Sequence, residues 1–436
     1  MLDTFRSIFK VEELKKRIFF TCAILIVYRI GGHIPTPGID GSILASALAQ
    51  NSIFGLLDLF AGGAFAKATI FALGIMPYIS ASIMLQLLGA VVPYLQRLQR
   101  EGEEGRRKIT QYTRYLTVAI AALQGWGTAG FLTTITDRAG NPAVHMDTAG
   151  FIPLTVLTFT CGCIFIMWLG EQITEKGIGN GISLIIFIGI IARFPEAVWE
   201  EAELVLAGYR SLVLEAVMVA MMVLVIAAVI LVTRAQRKVP VQYPRKVVGR
   251  KVFGGAATHL PLSVNSAGVI PIIFAQSIMF LPSTIAQLFP NSDWIQNLVA
   301  VSLRPGGWWY SIIYGLIIIF FGYFYTAIVF NPMEIADNMR RNGGYIPGIR
   351  PGKNTSEYIE RILTRITLPG AIFFAMIAIL PWVLISQANV NFFFGGTGLL
   401  IVVGVALDTL QQIESHLLMR HYDGFMKKGR IRGRSM

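Results

Sequence analysis

Residues 55–86 read GLLDLFAGGAFAKATIFALGIMPYISASIMLQ, a stretch that is apolar enough for a membrane yet interrupted along its length. Its first half contains Asp58 and the Gly62-Gly63 pair, and Pro77 stands in its second half. Non-helical backbone in hydrocarbon leaves polar groups unsatisfied, so such a stretch survives only when it is buried in protein or lies beside a water-filled cavity. We therefore interpret it as a segment that lines a passage through the membrane and partly fills it. The alternative is a single helix that is kinked for packing.

The composition is that of a multi-span membrane protein. Of the 436 residues, 54% are hydrophobic and 14% are charged, and the mean hydropathy is +0.61, values far from those of a soluble globular chain. The three cysteines, Cys22, Cys161 and Cys163, lie in apolar runs, so we predict neither a disulfide framework nor a metal site. We predict no cleavable signal peptide, because residues 1–17 mix acidic residues with five basic ones and no A-x-A-like site follows the first apolar run. The spacing of the apolar residues in this segment suggests instead an amphipathic helix at the membrane surface.

Ten apolar runs each approach the ~20 residues that a helix needs to cross a bilayer. They lie at 18–33, 69–94, 115–135, 152–173, 178–194, 212–233, 263–288, 308–330, 366–385 and 394–414. Lys and Arg number 31 on one side of these runs and 6 on the other. The positive-inside rule therefore places both termini in the cytoplasm.

These spans predict an all-α polytopic membrane protein with two five-helix halves around a central pore. We expect an N-terminal half at 1–194, an external connector at 195–211 and a C-terminal half at 212–436. Since five is an odd number, the second half enters the membrane in the opposite direction to the first. This arrangement permits an inverted repeat with the passage between the halves.

Two cytoplasmic loops, 234–261 and 331–361, are too long to be simple connectors. The first is basic and rich in β-branched residues, which predicts a hairpin-like projection. The second contains NGGYIPGIRPGK at 342–353, whose glycines and prolines predict a structured turn. A contact with anionic lipid would suit any basic cytoplasmic cluster. The length and the turn chemistry favour instead a docking site for a large partner.

Groups that could carry out catalysis do not converge in this sequence. The five histidines lie at or beyond the ends of the apolar runs, and no zinc-protease, nucleophile-elbow or P-loop motif is present. The segment GIGNGIS at 177–183 resembles a phosphate-binding loop only superficially, because no strand precedes it. We predict no enzymatic activity and no cofactor, so that any energy for transport comes from outside the chain.

Two other classes of protein fit part of this pattern: an ion-coupled secondary transporter and a membrane scaffold without a passage. Transporters usually keep ionisable residues near the middle of the membrane, whereas the centres of these runs are almost free of charge. An apolar constriction can still gate a passage. Stiff isoleucines lie four residues apart, on one helix face, at Ile79 with Ile83 and at Ile182 with Ile186. Positions in a core or facing lipid are the alternative for these residues.

Six segments of the chain resemble, in order, the bacterial SecY family, the central subunits of the Sec protein-conducting channel. They are GIMPYISASI (74–83), EGEEGRRKITQYTRYLT (101–117), MWLGEQITEKGIGNGISLIIF (167–187), THLPLSVNSAGVIPIIF (258–274), GGYIPGIRPGK (343–353) and FFGGTGLLIVVGVALDT (393–409). The resemblance runs from the second span to the last. It therefore covers essentially the whole chain.

This resemblance implies roles for particular residues. It implies a plug at about 57–70, with Asp58, Leu59, Phe60, Gly62, Gly63, Phe65 and Lys67. It implies an apolar pore ring of Ile79, Ile83, Ile182, Ile186, Ile273 and Ile401. It implies a lateral gate between the second and seventh spans, with Ser82, Gln86 and Asn265. It implies a docking site for SecA and the ribosome at Arg245, Lys246, Arg250, Lys251 and Arg350.

The resemblance also implies the activity and the partners. The expected protein is a passive channel in the bacterial inner membrane, through which unfolded secretory polypeptides cross and hydrophobic segments leave sideways into lipid. The motor ATPase SecA or a translating ribosome would drive it, and the basic loops would contact ribosomal RNA. The other expected partners are the SecE and SecG subunits, signal sequences, nascent chains and membrane lipids.

Overall fold

A computed structural model describes most of the chain. The described residues are 11–41, 43–44, 62–136, 141–209, 211–243, 246–248, 251–253, 257–265, 268–288, 292, 294, 297–299, 307–388 and 397–428. The helices are α1 (Glu12–Gly31), α2 (Met76–Val91), α3 (Pro93–Arg100), α4 (Glu103–Thr134), α5 (Thr148–Lys176), α6 (Gly181–Ala192), α7 (Phe194–Leu206), α8 (Leu212–Arg234), α9 (Ile270–Leu288), α10 (Trp308–Val329), α11 (Pro332–Arg341), α12 (Lys353–Ala388) and α13 (Thr397–Lys428). The strands are β1 (Gln236–Gln242), β2 (Lys246–Val248), β3 (Lys251–Phe253) and β4 (Ala257–Ser263).

Each of the ten predicted apolar runs overlaps one of these helices. Among the described residues, seven helices are long and apolar enough to cross a membrane, or up to eight if the bent pair α2–α3 forms one span. Helix α9 is apolar but shorter. The structure therefore confirms a helical, multi-span membrane protein, and the count of ten spans stays a prediction.

The predicted interruption lies ahead of Pro77, not at it. Pro77 stands in the first turn of α2, where proline costs no helical hydrogen bond. Residues 62–75 form turns, and most of them are buried. The part of the opening stretch from residue 62 to residue 75 is thus irregular backbone that is largely buried in protein, as expected for non-helical backbone in a membrane protein. The run predicted at 69–94 is helical only from Met76.

Contacts divide the chain into two units. The first comprises Met1–Trp199, Phe280–Ala300 and Val405–Met436, and the second comprises Glu200–Met279 and Val301–Gly404. The boundary after Trp199 lies in the predicted external connector. The halves predicted at 1–194 and 212–436 remain a prediction.

In the first unit, α4 and α5 pack closely because small residues line their contact. A β-carbon added at Gly125 of α4 would lie 3.5 Å from the Cα of Val156 on α5, an approach typical of helices within membranes. A bidentate ion pair joins the same helices, since Arg114 Nε and Nη2 donate to the two carboxylate oxygens of Glu171 at 2.9 and 2.8 Å.

In the second unit, the core is built from α8, α9, α10, α12 and the start of α13. Tyr314 of α10 and Ala275 of α9 are fully buried there. Glycines again allow a close helix contact, because a β-carbon added at Gly322 of α10 would lie 3.3 Å from Ala371 Cβ on α12. In lipid, where the hydrophobic effect does not drive helices together, such close packing stabilises their association.

Candidate functional site

Four residues in the described part of the predicted plug, 62–70, are buried: Ala64, Phe65, Ala68 and Thr69. Phe65 is 1% exposed, whereas Lys67 is exposed. Gly62 has φ +65°, and a β-carbon added there would lie 2.8 Å from Gly189 Cα in α6. Only glycine fits this approach of two backbones. The plug residues Asp58, Leu59 and Phe60 lie outside the described residues.

The end of this segment is fixed to the chain that follows α1. The Thr36 amide donates to the Ala68 carbonyl at 2.8 Å, and the Ile70 amide donates to the Ile34 carbonyl at 3.0 Å. Arg29 Nη1 donates to the Gly62 carbonyl at 3.3 Å. These bonds satisfy backbone groups that irregular structure would otherwise leave unpaired.

The predicted pore isoleucines are mostly buried. In the first unit, Ile79 and Ile83 of α2 and Ile186 of α6 are at most 3% exposed, and Ile182 of α6 is half-buried. In the second unit, two more isoleucines are buried: Ile273 of α9 and Ile401 of α13. A lipid-facing position is therefore excluded for the five buried isoleucines.

The face of α6 that carries two of these isoleucines also contacts the plug segment. Ile182, Ile186 and Gly189 follow one another at intervals of four and three residues, so they share one helix face. Gly62 approaches this face at Gly189. The plug segment and a predicted part of the pore ring thus meet on α6.

Two of the predicted lateral-gate residues, Ser82 and Gln86, lie on α2, and the third, Asn265, lies in a turn ahead of α9. On α2, Gln86 Nε2 donates to Ser82 Oγ at 3.1 Å. In the second unit, Asn265 just before α9 lines a small cleft. Thr326 of α10 and Thr367 of α12 are polar residues of the same cleft, which is otherwise lined by apolar and small side chains.

The loop predicted as a hairpin-like projection contains antiparallel strand pairs. Strand β1 pairs antiparallel with β4, with Gln236 opposite Ser263 and Gln242 opposite Ala257. Beyond them β2 pairs with β3, which sets the backbone of Lys251 opposite Val248. The docking residue Lys246 begins β2, whereas Arg245 and Arg250 lie outside the described residues.

The second cytoplasmic loop forms a turn that presents the predicted docking arginine. Arg350 is exposed, and its carbonyl accepts a hydrogen bond from Thr355 Oγ1 at 3.0 Å. This bond joins the turn to the first residues of α12. The guanidinium is therefore presented from a structured turn, as the sequence predicted.

The two cytoplasmic loops, which the sequence predicts as separate features, form one folded body that we call the cytoplasmic platform (236–243, 257–263 and 332–363). Its core joins both loops and consists of Val239, Val241, Leu262, Met339, Ile346, Ile359 and Leu363. The alternation of Val239 and Val241 in β1 was the signal that could have indicated a buried face on the first loop.

A metal centre has no basis in the described part of the chain, where no group of three or more His, Cys, Asp or Glu side chains could hold an ion.

These features define a polytopic helical membrane protein that has a buried, interrupted segment and a folded cytoplasmic platform. A family model described as SecY matches residues 69–410. The chain belongs to the SecY family, as the six motifs predicted. Membership also confirms the predicted function of a protein-conducting channel.

Curated relatives match over the whole length. The protein translocase subunit SecY of Thermotoga maritima is 45% identical over 444 residues, covering 100% of both chains. That of Streptomyces scabiei is 46% identical and covers 98% of this chain and 100% of the relative. These bacterial relatives agree with a multi-span subunit of a bacterial translocase.

Solved structures share the fold at lower identity. One described as "The structure of a protein conducting channel" has a TM-score of 0.65 at 19% identity and covers 92% of each chain. Another, "Sec61 in the Canine ribosome-channel complex from the endoplasmic reticulum", has a TM-score of 0.62 at 18% identity with the same coverage. This likeness supports the fold independently of the family assignment.

Proposed function

We propose that the chain is a passive channel in the bacterial inner membrane, sealed at rest by isoleucines and by the plug segment. The observation that carries this proposal is the contact of Gly62 with Gly189, on the face of α6 that holds Ile182 and Ile186. A bulky apolar constriction excludes water and ions until a translocating chain parts it. Unfolded secretory polypeptide then crosses through the passage.

The pore ring comprises Ile79, Ile83, Ile182, Ile186, Ile273 and Ile401. The burial of five of these side chains supports this assignment over a lipid-facing one. A ring of stiff, branched side chains closes a narrow passage without fixed charge. Such a passage binds no small ion, in contrast to a secondary transporter.

The lateral gate for signal sequences and hydrophobic segments lies at α2 and the start of α9. On α2, Ile79, Ser82, Ile83 and Gln86 follow the helical spacing of a single face. That face therefore combines the predicted seal with two polar gate residues. Asn265 supplies the polar group of the other segment, and segments that leave through this gate enter membrane lipid.

The energy comes from SecA or from a translating ribosome, which dock on the cytoplasmic platform and its basic hairpin tip. The docking residues are Arg245, Lys246, Arg250, Lys251 and Arg350. Basic side chains suit both an acidic protein surface and the phosphates of ribosomal RNA. SecE and SecG complete the complex, and the positive-inside rule keeps both termini in the cytoplasm.

Replacing Ile83 and Ile186 with glycine tests the seal. The purified complex in planar bilayers should show a raised resting ion conductance, because two bulky groups leave the constriction. Ile188→Gly is the control for the substitution in α6, since it places the same helix-weakening glycine on the opposite side of that helix. Background conductance in the Ile83→Gly, Ile186→Gly variant would contradict the proposed seal.

A further inference from the structure

The glycine-rich loop between α5 and α6 has most of its amide groups occupied. The amide of Ile178 donates to Thr21 Oγ1 at 3.1 Å, and that of Gly181 donates to Thr174 Oγ1 at 2.9 Å. Asn180 Oδ1 accepts from the amides of Ile182 and Ser183. A phosphate would have to displace these side-chain oxygens, so the loop is not built as an anion site.

One acceptor in this loop comes from the far end of the chain. Gln412 Oε1 on α13 accepts the Gly179 amide at 3.0 Å. Both residues belong to the first unit. The contact is close, since Gly179 has φ +85° and a β-carbon added there would lie 3.3 Å from Thr409 Oγ1, one turn earlier on α13.

The same loop sets where α6 begins. Asn180 is the N-cap of α6, with its side chain accepting the two amides of the first turn. Gly179 therefore lies two residues before the first residue of the helix, and Ile182 lies three residues after Gly179. Because a helix moves as a rigid element, a displacement at Gly179 reaches Ile182 and Ile186 together.

We infer that Gln412 is a positioning residue for the seal: its amide oxygen on α13 holds Gly179, and with it the start of α6 and the isoleucines that α6 carries. This inference rests on the proposed function, since it assigns Gln412 to the seal that Ile182 and Ile186 form. Gln412 is exposed, so water can solvate the freed amide. Loss of the side chain will therefore leave the chain folded, and the loop will shift because Gly179 has lost its acceptor on α13.

Three variants test this role. Gln412→Leu removes the acceptor at similar size, Gln412→Glu retains an oxygen that accepts the Gly179 amide, and Gln411→Leu makes the same change at the exposed neighbouring position. In planar bilayers we expect Gln412→Leu to raise the resting conductance about threefold, a factor that corresponds to the net contribution of one hydrogen bond. Gln412→Glu and Gln411→Leu should remain near the parent level.

The inference is overturned if Gln412→Leu leaves the conductance unchanged, or if Gln412→Glu leaks as much as Gln412→Leu. Ile186→Gly, measured in parallel, separates this failure from that of the proposed function. A leak in Ile186→Gly without one in Gln412→Leu overturns the role of Gln412 alone. No leak in either variant overturns the seal itself.

Discussion

The backbones of Gln242 and Tyr345 exchange two hydrogen bonds, from the Gln242 amide at 2.9 Å and from the Tyr345 amide at 3.0 Å. The Tyr345 hydroxyl also donates to Gln242 Oε1 at 3.1 Å. These bonds join the end of β1 to the turn that presents Arg350. These bonds therefore hold the hairpin and the turn together within the cytoplasmic platform.

The core of the cytoplasmic platform should control its rigidity. Ile359 is 0% exposed, and Ile359→Ala removes buried methyl and methylene groups at a cost of about 2 to 5 kcal/mol. We expect the amides of β1 to exchange hydrogen faster in this variant, as measured by mass spectrometry of the purified protein. Ile362→Ala, at a partly buried position against the same core, should have a smaller effect. Equal exchange in both variants would contradict the shared core.

Charge reversal at Arg350 should impair driving by SecA. Arg350→Glu places a carboxylate where the proposed docking surface presents a guanidinium, while the exposed position leaves folding unaffected. We expect translocation into reconstituted vesicles to fall at least about tenfold, which corresponds to 1.4 kcal/mol. Arg361→Glu makes the same charge change at an exposed position on α12 and should retain activity. Unchanged export in Arg350→Glu would exclude this residue from docking.

The two neighbouring plug glycines should respond differently to alanine. Both have positive φ, +65° for Gly62 and +86° for Gly63, so alanine costs about 1 to 2 kcal/mol of backbone strain at either position. At Gly62 the added β-carbon also meets Gly189, whereas at Gly63 it meets nothing within 4 Å.

We therefore expect Gly62→Ala to raise the resting conductance more than Gly63→Ala does. Single-channel recording of the two variants measures the difference directly. Because both substitutions cause the same kind of backbone strain, the additional conductance of Gly62→Ala over Gly63→Ala reports the contact between the plug segment and α6. Equal conductance in the two variants would mean that this contact does not contribute to the seal.

The sequence predicted what depends on local pattern. Hydropathy located the helical runs, and turn residues indicated the hairpin and the turn before Arg350. Even so, the sequence counts Pro77 as part of the interruption, although this residue lies in the first turn of α2. Proline occurs both inside kinked helices and in the first turn of straight ones. Only the conformation of the preceding residues 62–75 distinguishes these two cases for Pro77.

Contacts between distant residues could not be predicted in this way. Gln242 and Tyr345 are 103 positions apart, and Gly179 and Gln412 are 233 apart. Neither pair leaves a periodic signal, because each contact depends on how whole helices and strands pack. The isoleucine pairs illustrate the same limit. Their spacing indicated a shared helix face but not what that face meets.

Site-specific crosslinking to an arrested secretory chain tests the central claim most directly. A photoreactive residue is placed singly at each member of the pore ring: Ile79, Ile83, Ile182, Ile186, Ile273 and Ile401. Ile312 of α10, which is 50% exposed, is the lipid-facing control. We predict crosslinks to the arrested chain from the six positions and none from Ile312. Active complexes without crosslinks from the ring, or with equal crosslinks from Ile312, would contradict a polypeptide passage lined by these isoleucines.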